Sequence, residues 1–159
     1  MTKVLAVVVG TISFMVVIGG IYFIVGISSV YDPIKKYEYN GSESQLVQNI
    51  SSYANSNRSV DFEFKDITGN KKSGFAFYYD LTLNTGGKSC EYNLKFEETR
   101  NAVLHRTTIS LVGAHDFKRG LGGYKINEKG VKKLIDAFER NVIDSLNKRQ
   151  NINIITLIN

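Results

Sequence analysis

The stretch FAFYYDLTLNTGGKSCEYNLKFE, residues 75–97, decides the fold of this chain. Apolar and polar side chains alternate on both sides of a short segment, Asn84–Gly87, which has the composition of a turn. Alternation with a period of two around a turn predicts two antiparallel strands with one buried face and one solvated face. The residues expected to face the core are Phe75, Phe77, Tyr79, Leu81, Leu83, Cys90, Tyr92, Leu94 and Phe96.

The same alternation continues on both sides of this hairpin. It precedes the hairpin at Val60–Lys65 and follows it at Val103–Leu111, where His105 is expected to be an inward or edge histidine. The sequence therefore predicts a four-stranded antiparallel meander. The solvated face would carry Asp61, Glu63, Lys65, Tyr78, Asp80, Glu91, Asn93, Lys95, Glu97, Arg106, Thr108 and Ser110.

Two amphipathic helices flank the predicted meander. Ser42 and Gln45 match a capping box, and the apolar residues that follow at helical spacing predict a helix over 43–55. Asn127 is expected to cap a second helix over 128–148, whose apolar positions also recur at helical spacing.

The C-terminal tail, Ile152–Ile158, is apolar enough to form a fifth strand or a loose end, and we favour the strand. The predicted fold class is α+β, with the order helix, four-stranded meander, helix and possible strand. Both helices should pack on the apolar face of the sheet, because a half-buried sheet needs a second layer.

The run Val4–Val30 contains no charged residue. A bilayer core needs about 20 apolar residues in a helix, and a cleaved signal has an apolar centre of only about 7–15, so we predict a transmembrane anchor. The predicted division of the chain is an anchor over 1–31, a juxtamembrane linker over 32–41 and a globular domain over 42–159. Within the linker, residues 37–39 are either a short extended segment or unstructured chain.

The orientation of the predicted anchor depends on a few flanking charges. Lys3 precedes the run, while Lys35 and Lys36 follow it at a greater distance. The short leading tail favours the amino end inside and the domain outside the cytoplasm. The single cysteine, Cys90, excludes an internal disulfide and is expected to be a buried, inert thiol.

The composition argues against several functional classes. The net charge is +5, but the basic residues are scattered among acidic ones, which argues against nucleic-acid binding. Two histidines and one cysteine do not provide the spacing of a zinc site. No phosphate-binding loop or nucleophile elbow occurs in the chain, so we predict neither a cofactor nor a metal.

The alternation stops after Gly113, which predicts a glycine-rich loop over 114–124. Its backbone N–H groups, beside two bases, would suit an anion; alternatively, the glycines form a connector that needs positive φ. Adjacent strand residues point apart, so His115 and Asp116 are a poor dyad. The candidate ligand-binding residues are His115, Asp116, Lys118, Arg119, Gly120, Gly122 and Gly123.

Three functional hypotheses follow. The first is a single-span, membrane-anchored, non-enzymatic accessory protein whose domain binds a protein partner or a small ligand near the bilayer. The second is an enzyme, a hydrolase or transferase centred on the 114–124 loop, which requires His115, Asp116, Lys118 and Arg119 to converge in one cleft. The third is a carrier with a cavity for lipid or another apolar ligand, lined by Phe62, Phe77, Tyr79, Tyr92 and Phe96.

Overall fold

The computed structural model describes residues 32–65, 77–100 and 105–157. The predicted anchor, residues 1–31 with the span Val4–Val30, lies outside the described residues. Within the described residues, no helix combines the length and the apolar character that a membrane crossing requires.

The described strands form one antiparallel sheet, and the fold class is α+β, as predicted. The strands are β1 (Lys35–Tyr39), β2 (Val60–Lys65), β3 (Phe77–Thr85), β4 (Lys88–Arg100), β5 (His105–Asp116), β6 (Leu121–Gly123) and β7 (Ile154–Leu157). Their order in the sheet is β2-β3-β4-β5-β1-β7, and β6 also pairs with β5. The predicted meander is confirmed as β2 to β5, and the predicted C-terminal strand is confirmed as β7.

The range 32–41, predicted as a linker, contributes an internal strand to this sheet. β1 lies between β5 and β7, and its residues Tyr37 and Tyr39 are buried in the core. Of the two expectations for residues 37–39, the extended segment is the one observed. The strand is only five residues long, so its alternation is too short to be distinguished from a linker without its partner strands.

The first helix, α1 (Glu43–Ser56), begins at the predicted capping box. The Gln45 N–H donates to Ser42 Oγ at 3.3 Å, and the Ser42 N–H donates to Gln45 Oε1 at 3.1 Å. These two bonds satisfy donors that the first helical turn leaves without intrahelical partners.

The second helical region differs from the prediction of one helix capped by Asn127. It begins after Gly130, which has a φ of 86°, because residues 125–130 form turns in which the Val131 N–H donates to the Glu128 carbonyl. A helix cannot extend through a residue with positive φ, so Asn127 is wrong as the cap. The region consists of α2 (Val131–Phe138), a π-helical turn (Glu139–Ile143) and α3 (Asp144–Gln150).

The helices cover one face of the sheet, which we call the inner face. Tyr53 in α1 donates to the Asn141 carbonyl at 2.8 Å, and Tyr92 in β4 donates to the Leu134 carbonyl at 3.1 Å. Aromatic rings fill the space between the layers; the ring centroids of Tyr79 and Phe96 are 4.6 Å apart. The fully buried large side chains are Tyr37, Tyr53, Tyr92, Phe96, Phe138, Leu46, Leu81, Leu83, Leu94, Ile109, Leu111 and Leu146.

A β-bulge interrupts the pairing of β4 with β5. Leu94 lies opposite Leu111, but the preceding residue of β4, Asn93, lies opposite Gly113. Val112 is therefore an extra residue on β5. One inserted residue reverses the faces toward which the following side chains point, since the side-chain period of a strand is two.

The bulge explains why the predicted loop over 114–124 is wrong. β5 continues to Asp116, and after the bulge Ala114 and Asp116 are the residues buried on the inner face. The alternation in the sequence therefore breaks although the strand continues. β6 then runs antiparallel to β5 and pairs with its last three residues, Ala114, His115 and Asp116. His115 consequently lies on the opposite face, which we call the outer face.

Candidate functional site

The structure separates the charged residues that the enzyme hypothesis requires to converge. Asp116 is 1% exposed on the inner face, whereas His115 lies on the outer face. Lys118 and Arg119 lie in a short 3₁₀ turn, Phe117–Arg119, and both are exposed. A catalytic cleft that contains all four side chains is not formed.

Asp116 and Arg119 instead form a local ion pair that closes the turn after β5. Arg119 Nε lies 2.5 Å from Asp116 Oδ2, and the Arg119 N–H donates to Asp116 Oδ1 at 3.1 Å. The hydrogen bond from the Arg119 side chain lowers the pKa of the Asp116 carboxyl below its ordinary value, against the opposing effect of burial.

Cys90 is the buried free thiol that the sequence predicts. Its Sγ lies 4.0 Å from Asp116 Oδ2, and burial raises the pKa of the thiol above its ordinary value. A thiol with a raised pKa forms little of the nucleophilic thiolate at neutral pH.

The glycines of the predicted loop have structural roles in the sheet. The Gly122 N–H donates to the Lys129 carbonyl at 2.9 Å, and the Gly120 N–H donates to the Phe117 carbonyl at 3.3 Å. Gly122 has a φ of 113°, and a Cβ at this position would overlap the Ala114 carbonyl oxygen. The connector interpretation therefore fits these residues better than the anion-binding one.

His105 lies exposed at the start of β5, where its Nδ1 is 2.9 Å from Glu98 Oε1. Of the two expectations for His105, an inward or an edge position, the structure shows the edge position, where the imidazole is hydrogen-bonded to Glu98. In the part of the chain that the structure describes, no three His, Cys, Asp or Glu side chains are grouped so as to hold a metal ion.

A polar cluster lies on the outer face beyond the bulge. Asn93 stands between Asp80 on β3 and Gly113 on β5, and Glu91 lies opposite His115. Tyr124, just after β6, contributes its ring. The members of this outer-face cluster are Asp80, Glu91, Asn93, Gly113, His115 and Tyr124.

The orientation of the Asn93 amide is set by two carboxylates. Its Nδ2 donates to Asp80 Oδ1 at 2.9 Å and to Glu91 Oε1 at 3.2 Å. A carboxylate only accepts hydrogen bonds, so the amide nitrogen must point toward Asp80 and Glu91. Asn93 Oδ1 is thereby directed toward β5, where it is buried without a hydrogen-bond partner.

The imidazole of His115 is held between two aromatic rings. The Phe117 ring stacks on it with a centroid distance of 5.2 Å and an interplanar angle of 3°. The Tyr124 ring meets it edge-on at 4.9 Å. Its Nε2 is also buried without a hydrogen-bond partner.

Both unpartnered atoms converge above Gly113. A Cβ on this residue would lie 2.5 Å from Asn93 Oδ1, 3.1 Å from His115 Nε2 and 2.9 Å from the Tyr124 ring. Only glycine leaves room for these atoms, since real Cβ atoms do not approach other heavy atoms so closely. The outer-face cluster thus places an acceptor and an imidazole nitrogen beside one point, under the Tyr124 ring.

Among the described residues, Ser110 on the outer face is the third case of this kind. It is completely buried, and its Oγ has no hydrogen-bond partner. Buried polar groups in folded proteins are nearly always hydrogen-bonded, and each exception calls for an explanation. Three exceptions on one face of one sheet, in adjacent strands, distinguish this face from the core side.

The sequence pattern predicts only part of this cluster: His115 is a predicted candidate, whereas Asp80, Glu91 and Asn93 are predicted to lie on an ordinary solvated face. The bulge at Val112 brings His115 onto that face. In the sequence, the bulge is visible only as an interruption of the alternation after Gly113, which the end of a strand would also produce. The direct pairing of Asn93 with Gly113 also depends on the bulge.

Two exposed aromatic residues contact the cluster. Phe117 is 70% exposed and Tyr124 is 42% exposed, and both rings contact His115. The other large apolar residues that are exposed in the described part of the chain are Ile126 (46%) and Ile155 (43%), and Ile155 lies on β7, two strands away from β5. Neighbouring exposed aromatic side chains are common on binding surfaces.

No protein-family model matches the chain, and no curated protein is significantly similar to it.

Proposed function

We propose that this chain is a single-span, membrane-anchored, non-enzymatic accessory protein whose domain binds a partner through the outer-face cluster. Its span is Val4–Val30, and its domain lies outside the cytoplasm. The observation that carries the proposal is the convergence of Asn93 Oδ1 and His115 Nε2 above Gly113, neither with a protein hydrogen-bond partner.

The chemistry of the cluster favours a partner group with N–H donors. Asn93 Oδ1 accepts hydrogen bonds, and a neutral imidazole also accepts through an unprotonated Nε2. The carboxylates of Asp80 and Glu91 lie immediately beside Asn93, which adds negative charge around the same point. An ammonium, guanidinium or amide group suits this environment, carried by a partner side chain or by a small amine.

The Tyr124 ring covers this point. It lies above Gly113 and 4.9 Å from the His115 ring, yet the residue is 42% exposed. A partner group that binds at this point would have to displace the Tyr124 ring from its position over Gly113.

The two alternative functions receive less support. The enzyme hypothesis needs His115 beside Asp116, and these residues lie on opposite faces of β5. The carrier hypothesis needs a cavity between its aromatic residues, but Phe62 stacks on Tyr79 at 5.1 Å, and Tyr92 packs against Phe138 at 5.0 Å. The Phe77 side chain lies outside the described part of the chain.

Photocrosslinking of the full chain in native membranes tests the proposal. A benzophenone amino acid replaces Thr82, whose β3 position lies beside Glu91 on the outer face. The matched control places the same group at Ile155, an exposed residue of β7. We expect a discrete crosslinked protein from position 82 and none from position 155.

Native mass spectrometry of the detergent-extracted full chain distinguishes a small amine from a protein. A bound small molecule of discrete mass, with no crosslinked protein, would assign the site to an amine ligand. If neither a protein nor a small molecule is found, the binding function is wrong. Release of the chain from membranes by alkaline carbonate would separately contradict the proposed span.

A further inference from the structure

The segment that follows β5 combines cations with exposed apolar side chains. Residues 117–130 contain four Lys or Arg residues and one carboxylate, Glu128. Arg119 is engaged by Asp116, but the three lysines are exposed and form no ion pair with another described residue. We call the following set the basic loop surface: Phe117, Lys118, Lys125, Ile126 and Lys129.

The opposite end of the sheet differs in its charge pairing. There, Arg106 lies 3.4 Å from Glu38, and His105 lies 2.9 Å from Glu98. Arg106 therefore has an anionic partner within the domain, and His105 has a hydrogen-bond partner. The lysines of the basic loop surface have no ion-pair partner among the residues that the structure describes, so they can contact an external anion.

The basic loop surface adjoins the place where the chain joins the domain. The Ile34 N–H donates to the Leu111 carbonyl at 2.7 Å, and β1 pairs with β5 up to that residue. Three residues further along β5, the same edge is taken by β6, which leads directly into Tyr124 and the loop that follows. The start of the domain and this loop are thus neighbours along one strand edge.

The length of the connecting chain limits how far this corner lies from the proposed span. Ile34 follows Val30 by four residues. Four extended residues reach at most about 14 Å. The headgroup layer on each side of a bilayer is about 5–8 Å thick, so a span that ended at Val30 would leave Ile34 within reach of the lipid headgroups.

We propose that the basic loop surface rests on the headgroups of an anionic bilayer, with Ile126 in contact with lipid and the lysines beside headgroup phosphates. This inference rests on the proposed span, which supplies the short tether. Juxtamembrane lysines are attracted by anionic lipid, and apolar side chains between them enter the interface. The docked surface would hold the outer-face cluster close to the membrane, where it meets its partner.

The absence of tryptophan from the chain makes a direct test possible. Ile126→Trp and Ile155→Trp each give the full chain a single tryptophan, at positions 46% and 43% exposed. Each protein is reconstituted into vesicles of phosphatidylcholine with phosphatidylglycerol, with and without brominated acyl chains, and flotation reports membrane association. We expect the tryptophan emission of Ile126→Trp to shift to shorter wavelength and to be quenched by bromine, while that of Ile155→Trp is unchanged.

Ionic strength supplies a second readout. Raising the salt to about 1 M shortens the Debye length to about 3 Å, so bromine quenching in Ile126→Trp should decline while the chain still floats with the vesicles. Lys118→Glu combined with Lys125→Glu, in the same Ile126→Trp chain, should produce this decline at low salt.

The outcomes separate this inference from the proposed function. If the chain floats but Ile126→Trp is quenched no more than Ile155→Trp, the docking surface is wrong and the span stands. If bromine quenches the Ile126→Trp emission but alkaline carbonate releases the protein from the vesicles, the docking surface is supported and the span is contradicted. Absence of flotation contradicts both. A blue shift of the Ile126→Trp emission seen only in native membranes would assign this surface to a protein and overturn lipid docking.

Discussion

Adjacent residues of β5, His115 and Asp116, show how differently the two faces of this sheet treat polar groups. On the inner face Asp116 is bonded by Arg119, and the Tyr92 hydroxyl donates to the Leu134 carbonyl. On the outer face the polar atoms Asn93 Oδ1, Ser110 Oγ and His115 Nε2 are buried without partners. The polar groups named on the inner face are thus hydrogen-bonded, whereas these three outer-face atoms are buried without partners, and the proposed binding function assigns two of them, on Asn93 and His115, to a partner.

This contrast predicts that substitutions on the inner face act on stability, whereas those on the outer face act on binding. The largest effect on stability is expected at Phe138, which is 1% exposed and packs against Tyr37 and Tyr92. Phe138→Ala should lower the free energy of unfolding by about 3–5 kcal/mol, because it leaves a cavity in the core. Urea denaturation of the detergent-solubilised full chain measures this change.

The matched control is Phe117→Ala, at a ring that is 70% exposed. It should change the free energy of unfolding by less than about 1 kcal/mol. Equal losses in the two variants would contradict the division between the faces.

A smaller loss is expected where β6 approaches β5 most closely. Gly122→Ala places a Cβ against the Ala114 carbonyl at a φ of 113°, which should cost about 1–3 kcal/mol of unfolding free energy. Gly120→Ala is the control, because it also has positive φ but has open space around the added Cβ. If Gly120→Ala lowers the free energy of unfolding more than Gly122→Ala does, the close approach of β6 to β5 is not the reason that position 122 requires glycine.

The ion pair of Asp116 should make the inner face sensitive to acid. Because the pKa of Asp116 is lower in the folded state than in the unfolded chain, its stabilisation is present above about pH 4 and is lost as the pH falls through the folded pKa. Asp116→Asn should lower stability at pH 7 and flatten its decline below about pH 4. Urea denaturation across this range measures the difference; an unchanged slope would show that Asp116 is not the responsible group.

The smallest effect on stability is expected at His115. His115→Phe keeps an aromatic ring between Phe117 and Tyr124 but removes the nitrogen that lacks a partner, so the free energy of unfolding should fall by less than about 0.5 kcal/mol or rise. A loss above about 2 kcal/mol would mean that His115 stabilises the fold through bonds of its imidazole.

Residue patterns were sufficient to predict the layers of this fold but not its sheet order or its site. The alternation at Phe77–Leu83 and the capping box at Ser42 specify their elements locally, so both were predicted correctly. β1 was ambiguous because five alternating residues are too few to distinguish a strand from a linker until their pairing with β5 and β7 is known. Most of the outer-face cluster was not predicted, because the extra residue Val112 reverses the faces of β5, and the resulting break in alternation resembles the end of a strand.

The most direct test of the central claim is the yield of partner crosslinking from position 82 in two histidine variants. The chain has only two histidines, so His115→Phe and His105→Phe form a matched pair. Loss of one hydrogen bond of about 0.5–1.5 kcal/mol should reduce capture about 2- to 12-fold in His115→Phe, and capture should be unchanged in His105→Phe. Equal capture by both variants, with the fold intact, would contradict the assignment of the outer-face cluster as the binding site.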